Sequence, residues 1–170
     1  MEPLLDTPAT RPDLYISVIG AGRCTAAQYA LAEQVGRLVA GLGAVLVCGG
    51  LSGVMAAAAR GAKEAGGRTL GILPGHDRSE ANTYIDVVVT TGMGHARNLA
   101  VVSSGDAVIA VGGEYGTLSE IGLAAKIGRP LVLLDGWRLQ RDAGTEGIWY
   151  ADTAEEAVAL ARRALRLSGA

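Results

Sequence analysis

The chain contains no phenylalanine, and aromatic residues make up only 4% of its 170 positions. A core without large rings must be closed by Ala, Val, Leu and Ile packed tightly around small residues. Its two cysteines, Cys24 and Cys48, give neither a disulfide framework nor metal-ligand spacing. Its two histidines, His76 and His95, stand outside any ligand cluster, so no dedicated metal site is expected. No apolar run approaches 18 residues, which excludes a membrane span. The net charge is −2, without a broad basic field, which argues against nucleic acid as the main partner. Residues 1–13 carry Pro3, Pro8 and Pro12 and lack the apolar stretch of a signal peptide. They read as a flexible tail ahead of one domain, residues 14–170. These exclusions leave a cytoplasmic, reduced protein.

Glycine is what the chain has in excess: 25 residues, about twice the usual share. The glycines gather at the ends of short apolar runs that alternate with helical stretches. Strands are expected at Leu14–Ile19, Ala44–Cys48, Arg68–Leu73, Ile85–Thr90, Asp106–Val111 and Leu131–Leu134, with a short seventh at Ile148–Tyr150. Helices are expected at Thr25–Gly41, Ser52–Ala65, Gly94–Ser104, Thr117–Ile127 and Thr153–Leu167. Thr25-x-x-Gln28 and Thr153-x-x-Glu156 fit capping boxes. Gly128 and Pro130 stop the fourth helix. Residues His76–Thr83 and Gly136–Gly147 read as polar loops. Strands apolar at nearly every position are buried on both faces. The pattern predicts an α/β fold, a Rossmann-like three-layer α/β/α sandwich with a mainly parallel sheet of six to seven strands. Ligands of such sheets bind beyond the carboxyl ends of the strands, where the strand order reverses.

Three glycine-rich loops fall at those ends. The first, Gly20-Ala21-Gly22, lacks the third glycine of a dinucleotide fingerprint, since Thr25 stands there. The second strand ends in Cys48-Gly49-Gly50 rather than an acidic residue, so an NAD-binding oxidoreductase is disfavoured. No Gly-Lys-Ser/Thr sequence marks a P-loop. Gly20 and Gly22 either contact a phosphate or form a plain strand-to-helix turn. Gly49, Gly50 and Gly53 of the second loop either admit a ligand to the backbone or let helix and strand pack closely.

The third loop is the most informative. Val111-Gly112-Gly113-Glu114-Tyr115-Gly116-Thr117-Leu118-Ser119-Glu120 follows a buried strand and opens a helix at Thr117. Free N–H groups and the positive dipole end of such a helix favour a phosphate or carboxylate. Thr117 and Glu120 fit a capping box, or place a hydroxyl and a catalytic carboxylate beside the anion. Upstream, Arg97 lies in Gly92-Met-Gly-His-Ala-Arg97-Asn98 at a helix start. Its guanidinium could clamp a phosphate or pair with Glu120.

Gly-Gly-x-x-Gly-Thr-x-x-Glu, an Ala-Arg-Asn segment upstream and an earlier Gly-Gly-x-x-Gly-Val-Met loop together resemble the Lonely-guy-like superfamily. The likeness runs over about Tyr15–Asp135. That superfamily includes cytokinin-nucleotide phosphoribohydrolases, often mislabelled as lysine decarboxylases, and molybdenum-cofactor carrier proteins. Val111 stands where the phosphoribohydrolases have Pro, Glu114-Tyr115 where they have one residue, and Asn98 where they have Lys. These departures are similar to the carrier branch. The resemblance implies that Gly112, Gly113, Gly116 and Thr117 bind phosphate, that Arg97 and Glu120 match the catalytic pair, and that the chain forms a homodimer or higher assembly. A pyridoxal-phosphate decarboxylase is excluded: only Lys63 and Lys126 exist, and both fall within predicted helices.

Two functions follow. In one, the chain hydrolyses the N-glycosidic bond of nucleoside 5′-monophosphates, with Glu120 stabilising an oxocarbenium-like sugar and no cofactor required. In the other, the same cradle carries a phosphorylated cofactor such as the molybdenum cofactor, without turnover.

Overall fold

Among the described residues, seven strands form one sheet in the order β4-β3-β2-β1-β5-β6-β7, and every pairing is parallel. They are β1 (Tyr15–Gly20), β2 (Val45–Cys48), β3 (Arg68–Leu73), β4 (Val87–Thr90), β5 (Ala107–Val111), β6 (Leu131–Leu134) and β7 (Ile148–Ala151). The computed structural model describes residues 13–140 and 144–167. The expected tail thus lies outside the described residues except for Asp13, which pairs with Arg68 at 2.9 Å. Part of the loop Gly136–Gly147 lies outside them as well.

Helices α1 (Ala26–Gly41), α2 (Val54–Glu64) and α5 (Ala154–Leu167) share one hydrophobic cluster with strand residues Ile16, Leu46, Ile109 and Val132. Helices α3 (Arg97–Ser104) and α4 (Tyr115–Lys126) share the other with Ile19, Val47, Val108 and Leu133. Successive strand residues point to opposite faces, so the apolar runs supply both clusters. The outcome is the expected three-layer α/β/α sandwich, with an entirely parallel sheet. Only β4, at the edge, alternates between half-buried and exposed, with Val87 57% and Val89 43% accessible.

The core is tight because its helices are built from small residues. A Cβ on Gly36 of α1 would land on the Ala58 carbonyl, and one on Gly61 of α2 on the Glu33 carbonyl. The two helices therefore touch backbone to backbone. Thr25 caps α1 as expected, with Thr25 Oγ1 accepting from Gln28 N and Gln28 Oε1 accepting from Thr25 N.

Several expected boundaries move. Helix α4 begins at Tyr115 rather than Thr117, because Gly112 and Gly113 have φ of 55° and 106° and turn the chain earlier, leaving Glu114 as N-cap. Thr117 and Glu120 therefore form no capping box; both side chains turn onto the buried face of α4. Helix α2 starts at Val54 because Gly53, with φ 63°, caps it while Ser52 Oγ donates to Gly22 O at 2.9 Å. Residues Gly94–Ala96 form a 3₁₀ turn before α3. Strand β4 starts at Val87 because Asp86 turns back to accept from Thr69 N. At α5, Glu156 accepts from Asp152 N rather than Thr153 N, so only the Thr153 half of that capping box forms.

Candidate functional site

Strand order reverses between β1 and β5, and the glycine loops after these two strands face each other there. A cleft of 390 Å³ opens at this point, lined by Ala21, Arg23, Cys24, Thr25 and Gln28 on one side and by Gly113 and Glu114 on the other. The loop after β2 is laid against the first: Val54 N donates to Ala21 O at 3.1 Å, and a Cβ on Gly53 would strike the Gly22 carbonyl. Gly20 is equally crowded, against Val54 and the Val111 carbonyl. Gly20, Gly22 and Gly53 thus bring two loops into contact, while Gly50, with φ 73°, lies against Leu73 and Gly71.

The third loop wraps around the end of β5. Gly112 N donates to Leu134 O at 2.8 Å, and the Gln28 side chain lies where a Cβ of Gly112 would be. Gly113 leaves room for the Thr117 side chain. Thr117 is 3% exposed, and its hydroxyl makes no hydrogen bond with the described residues. Gly116, one position earlier, is exposed. The first turn of α4 therefore offers free N–H groups, the positive end of the helix and an unpartnered hydroxyl.

Arg97 and Glu120, matched as a pair by the family resemblance, lie near enough to influence each other's charge. Both are buried, 8% exposed. The guanidinium lies over Gly49, whose missing side chain makes the space, and Nη1 donates to Ile72 O at 3.0 Å. Arg97 Nε is buried without a partner among the described residues, a state that costs ~1–3 kcal/mol when no acceptor arrives. Among the described residues Arg97 and Glu120 close no ion pair within 4.0 Å, and no hydrogen bond reaches the Glu120 carboxyl. Burial pushes that carboxyl up to about 7, against the opposing pull of Arg97. Burial likewise draws Arg97 below its ordinary value, which Glu120 and Cys48 partly offset. A guanidinium with one open N–H and a carboxyl raised by burial thus lie close together in a largely buried place.

Sequence reasoning missed three participants. Cys48 senses both Arg97 and Glu120, and burial lifts its thiol to about 11, so it stays protonated. Asn82, from the loop His76–Thr83, clamps the second glycine loop: its N–H donates to Gly50 O at 2.9 Å and its Nδ2 to Leu51 O at 2.8 Å. Nothing in the local pattern of a polar loop marks such a reach. Trp137, in a stretch read as irregular, lies 5.8 Å from the Tyr115 ring at the start of α4. Among the described residues no group of three or more His, Cys, Asp or Glu could hold a metal ion. Nor is any helix among them long and apolar enough to cross a membrane.

The family model described as the SLOG cluster4 family matches residues 13–160, nearly the whole described chain. The chain belongs to the SLOG cluster4 family. This is the Lonely-guy-like superfamily that the glycine motifs resemble, and the likeness lies with its carrier branch. An uncharacterized protein of Archaeoglobus fulgidus is 46% identical over 145 residues, 85% of this chain and 92% of that one. The molybdenum cofactor binding protein of the phototrophic bacterium Rippkaea orientalis superposes with a TM-score of 0.85 at 36% identity, covering 91% of this chain and 98% of that one. The molybdenum cofactor carrier protein of Chlamydomonas reinhardtii does so with a TM-score of 0.80 at 34% identity, covering 91% and 99%. Both share the SLOG cluster4 chain's Rossmann-like sandwich over nearly their full lengths.

Proposed function

We propose that this SLOG cluster4 protein is a non-enzymatic carrier of a phosphorylated cofactor of the molybdenum-cofactor kind, held by its phosphate at the β1/β5 switch point. The observation that carries this reading is the convergence there of a helix start with an unpartnered Thr117 hydroxyl. Arg97, with its orphaned Nε, supplies the only buried guanidinium among the described residues, across the same end of the sheet. A phosphate would satisfy donors that the fold leaves open. Gly112, Gly113, Gly116 and Thr117 would hold the phosphate, with Gly20, Gly22, Gly49, Gly50 and Gly53 shaping the loops around it. The similarity to proteins described as binding or carrying the molybdenum cofactor supports the cargo. Two unpaired thiols suit a reducing, cytoplasmic setting.

The test is to purify the protein from cells that make the molybdenum cofactor and to measure bound pterin by mass spectrometry. About one pterin per chain is expected. Gly49→Ala should lower that yield at least tenfold with little change in melting temperature. The atoms nearest the new Cβ are the flexible ends of Arg97 and Met55, so the guanidinium is what gives way. Absence of pterin, with binding only of simple mononucleotides, would overturn the carrier reading.

One observation favours the phosphoribohydrolase reading as a second. Glu120, with its carboxyl near 7 and no hydrogen bond, is poised to exchange a proton close to neutral pH. If the site hydrolyses nucleotides, free base is released from AMP and Glu120→Gln abolishes the release. No release across a nucleotide panel, or equal release by the variant, removes this reading.

A further inference from the structure

Aromatic side chains are scarce here, five Tyr and two Trp in the whole chain. Two of them meet beside the phosphate turn. Tyr115 is the first residue of α4 and is 81% exposed, the most exposed large hydrophobic side chain among the described residues. Side chains on a helix lean toward its N-terminus. That of Tyr115 therefore leans toward the end at which Gly113 and Glu114 line the cleft. Trp137 stands on the turn after β6, with its ring centroid 5.8 Å from that of Tyr115 and the planes inclined by 51°.

Trp137 packs on the cluster beneath α4, but its indole N–H has no acceptor among the described residues. Trp137 also lines a second cleft of 270 Å³, with Asp135, Gly136 and Arg138. Gly113 borders the first cleft and Gly136 the second, and between them position 136 abuts the Gly112 backbone. The aromatic pair thus stands where a ligand anchored on the turn would extend toward β6.

We infer that Tyr115 and Trp137 form a platform for the planar heterocyclic ring of the ligand whose phosphate sits on the Gly113–Thr117 turn. This rests on the proposed phosphate site. It adds which side chains take the ring, and it makes Tyr115 a specificity-determining residue. A π face accepts purine and pterin rings alike, while the phosphate turn sets the distance.

The experiment uses AMP and ribose 5-phosphate, which share a phosphate and differ by the ring, in calorimetric titrations of the full chain. Tyr115→Ala should weaken AMP roughly five- to hundredfold, the range found on removing base-stacking aromatics, and leave ribose 5-phosphate within about twofold. Tyr115→Phe should restore AMP binding. Equal effects on both compounds, or none on either, would overturn the platform. So would a change confined to oligomeric state, which would mean that a second copy covers Tyr115. If the unaltered protein binds neither phosphate compound, the phosphate reading falls by itself. The platform is then decided by adenosine and neopterin. Saturable quenching of tryptophan fluorescence that Tyr115→Ala removes supports it, and the absence of quenching overturns it.

Discussion

Alanine at Gly61 is expected to cost about 3 kcal/mol or more of folding stability, whereas alanine at Gly41 adds roughly 0.5–1 kcal/mol. Both glycines lie in helices on the same face of the sheet, so the opposite signs test how the core is closed. At Gly61 the new methyl would occupy the place of the Glu33 carbonyl. Overpacking costs ~1–3 kcal/mol when side chains can yield. Here the obstruction is backbone, and relief requires α1 and α2 to move apart. Separation would open the fully buried Ala32, Val35, Ala57 and Ala58 to poorer packing. At Gly41, the last residue of α1, nothing lies within 4 Å, and the substitution only restricts the unfolded chain and favours the helix. Urea denaturation midpoints decide the matter. If Gly61→Ala is no less stable than Gly41→Ala, the two helices do not meet through their backbones. This contact explains how a chain without phenylalanine fills a core: closeness of approach takes the place of side-chain volume.

The layer architecture was legible because two independent signals agreed. Apolar runs such as Ala107–Val111 marked doubly buried strands, and glycines closed them at their carboxyl ends. The start of α1 was legible too, since Thr25 and Gln28 cap through neighbouring backbone alone. The start of α4 was misread for a related reason. Thr117-x-x-Glu120 has the local form of a capping box, but burial of that helix face overrode it. Two consecutive left-handed glycines had already made the turn. The meeting of Arg97 and Glu120 was foreseeable from topology, since α3 and α4 lead into and out of β5. Their spacing was not, because local sequence carries no distance between helices. That Gly49 exists to seat a guanidinium, or that Asn82 reaches back to the Gly50 loop, depends on contacts made across the sheet.

Glu120 should make the protein less stable as the pH rises from 5 to 8, and Glu120→Gln should remove that slope. Its carboxyl lies near 7 in the folded chain against 4.5 in the ordinary case, chiefly because burial disfavours the charge. The folded state therefore holds a proton that the unfolded state releases. For an acid with a raised value, the stabilisation is complete below about 4.5 and is lost as pH climbs through about 7. The full difference amounts to about 3 kcal/mol. Carboxyls held by hydrogen bonds that lower their values act in the opposite sense and in another window. Asp13, Glu64 and Asp77 have lowered values, so their contribution fails only as pH drops into the ordinary carboxylate range. Between 5 and 8 the slope is thus expected to belong to Glu120. Chemical denaturation at pH 5, 6.5 and 8 should show the parent protein losing stability steadily while Glu120→Gln stays level. A parent protein as stable at pH 8 as at pH 5 would mean that Glu120 is ionised throughout. Arg97 would then be its counter-ion rather than a guanidinium held open for a ligand.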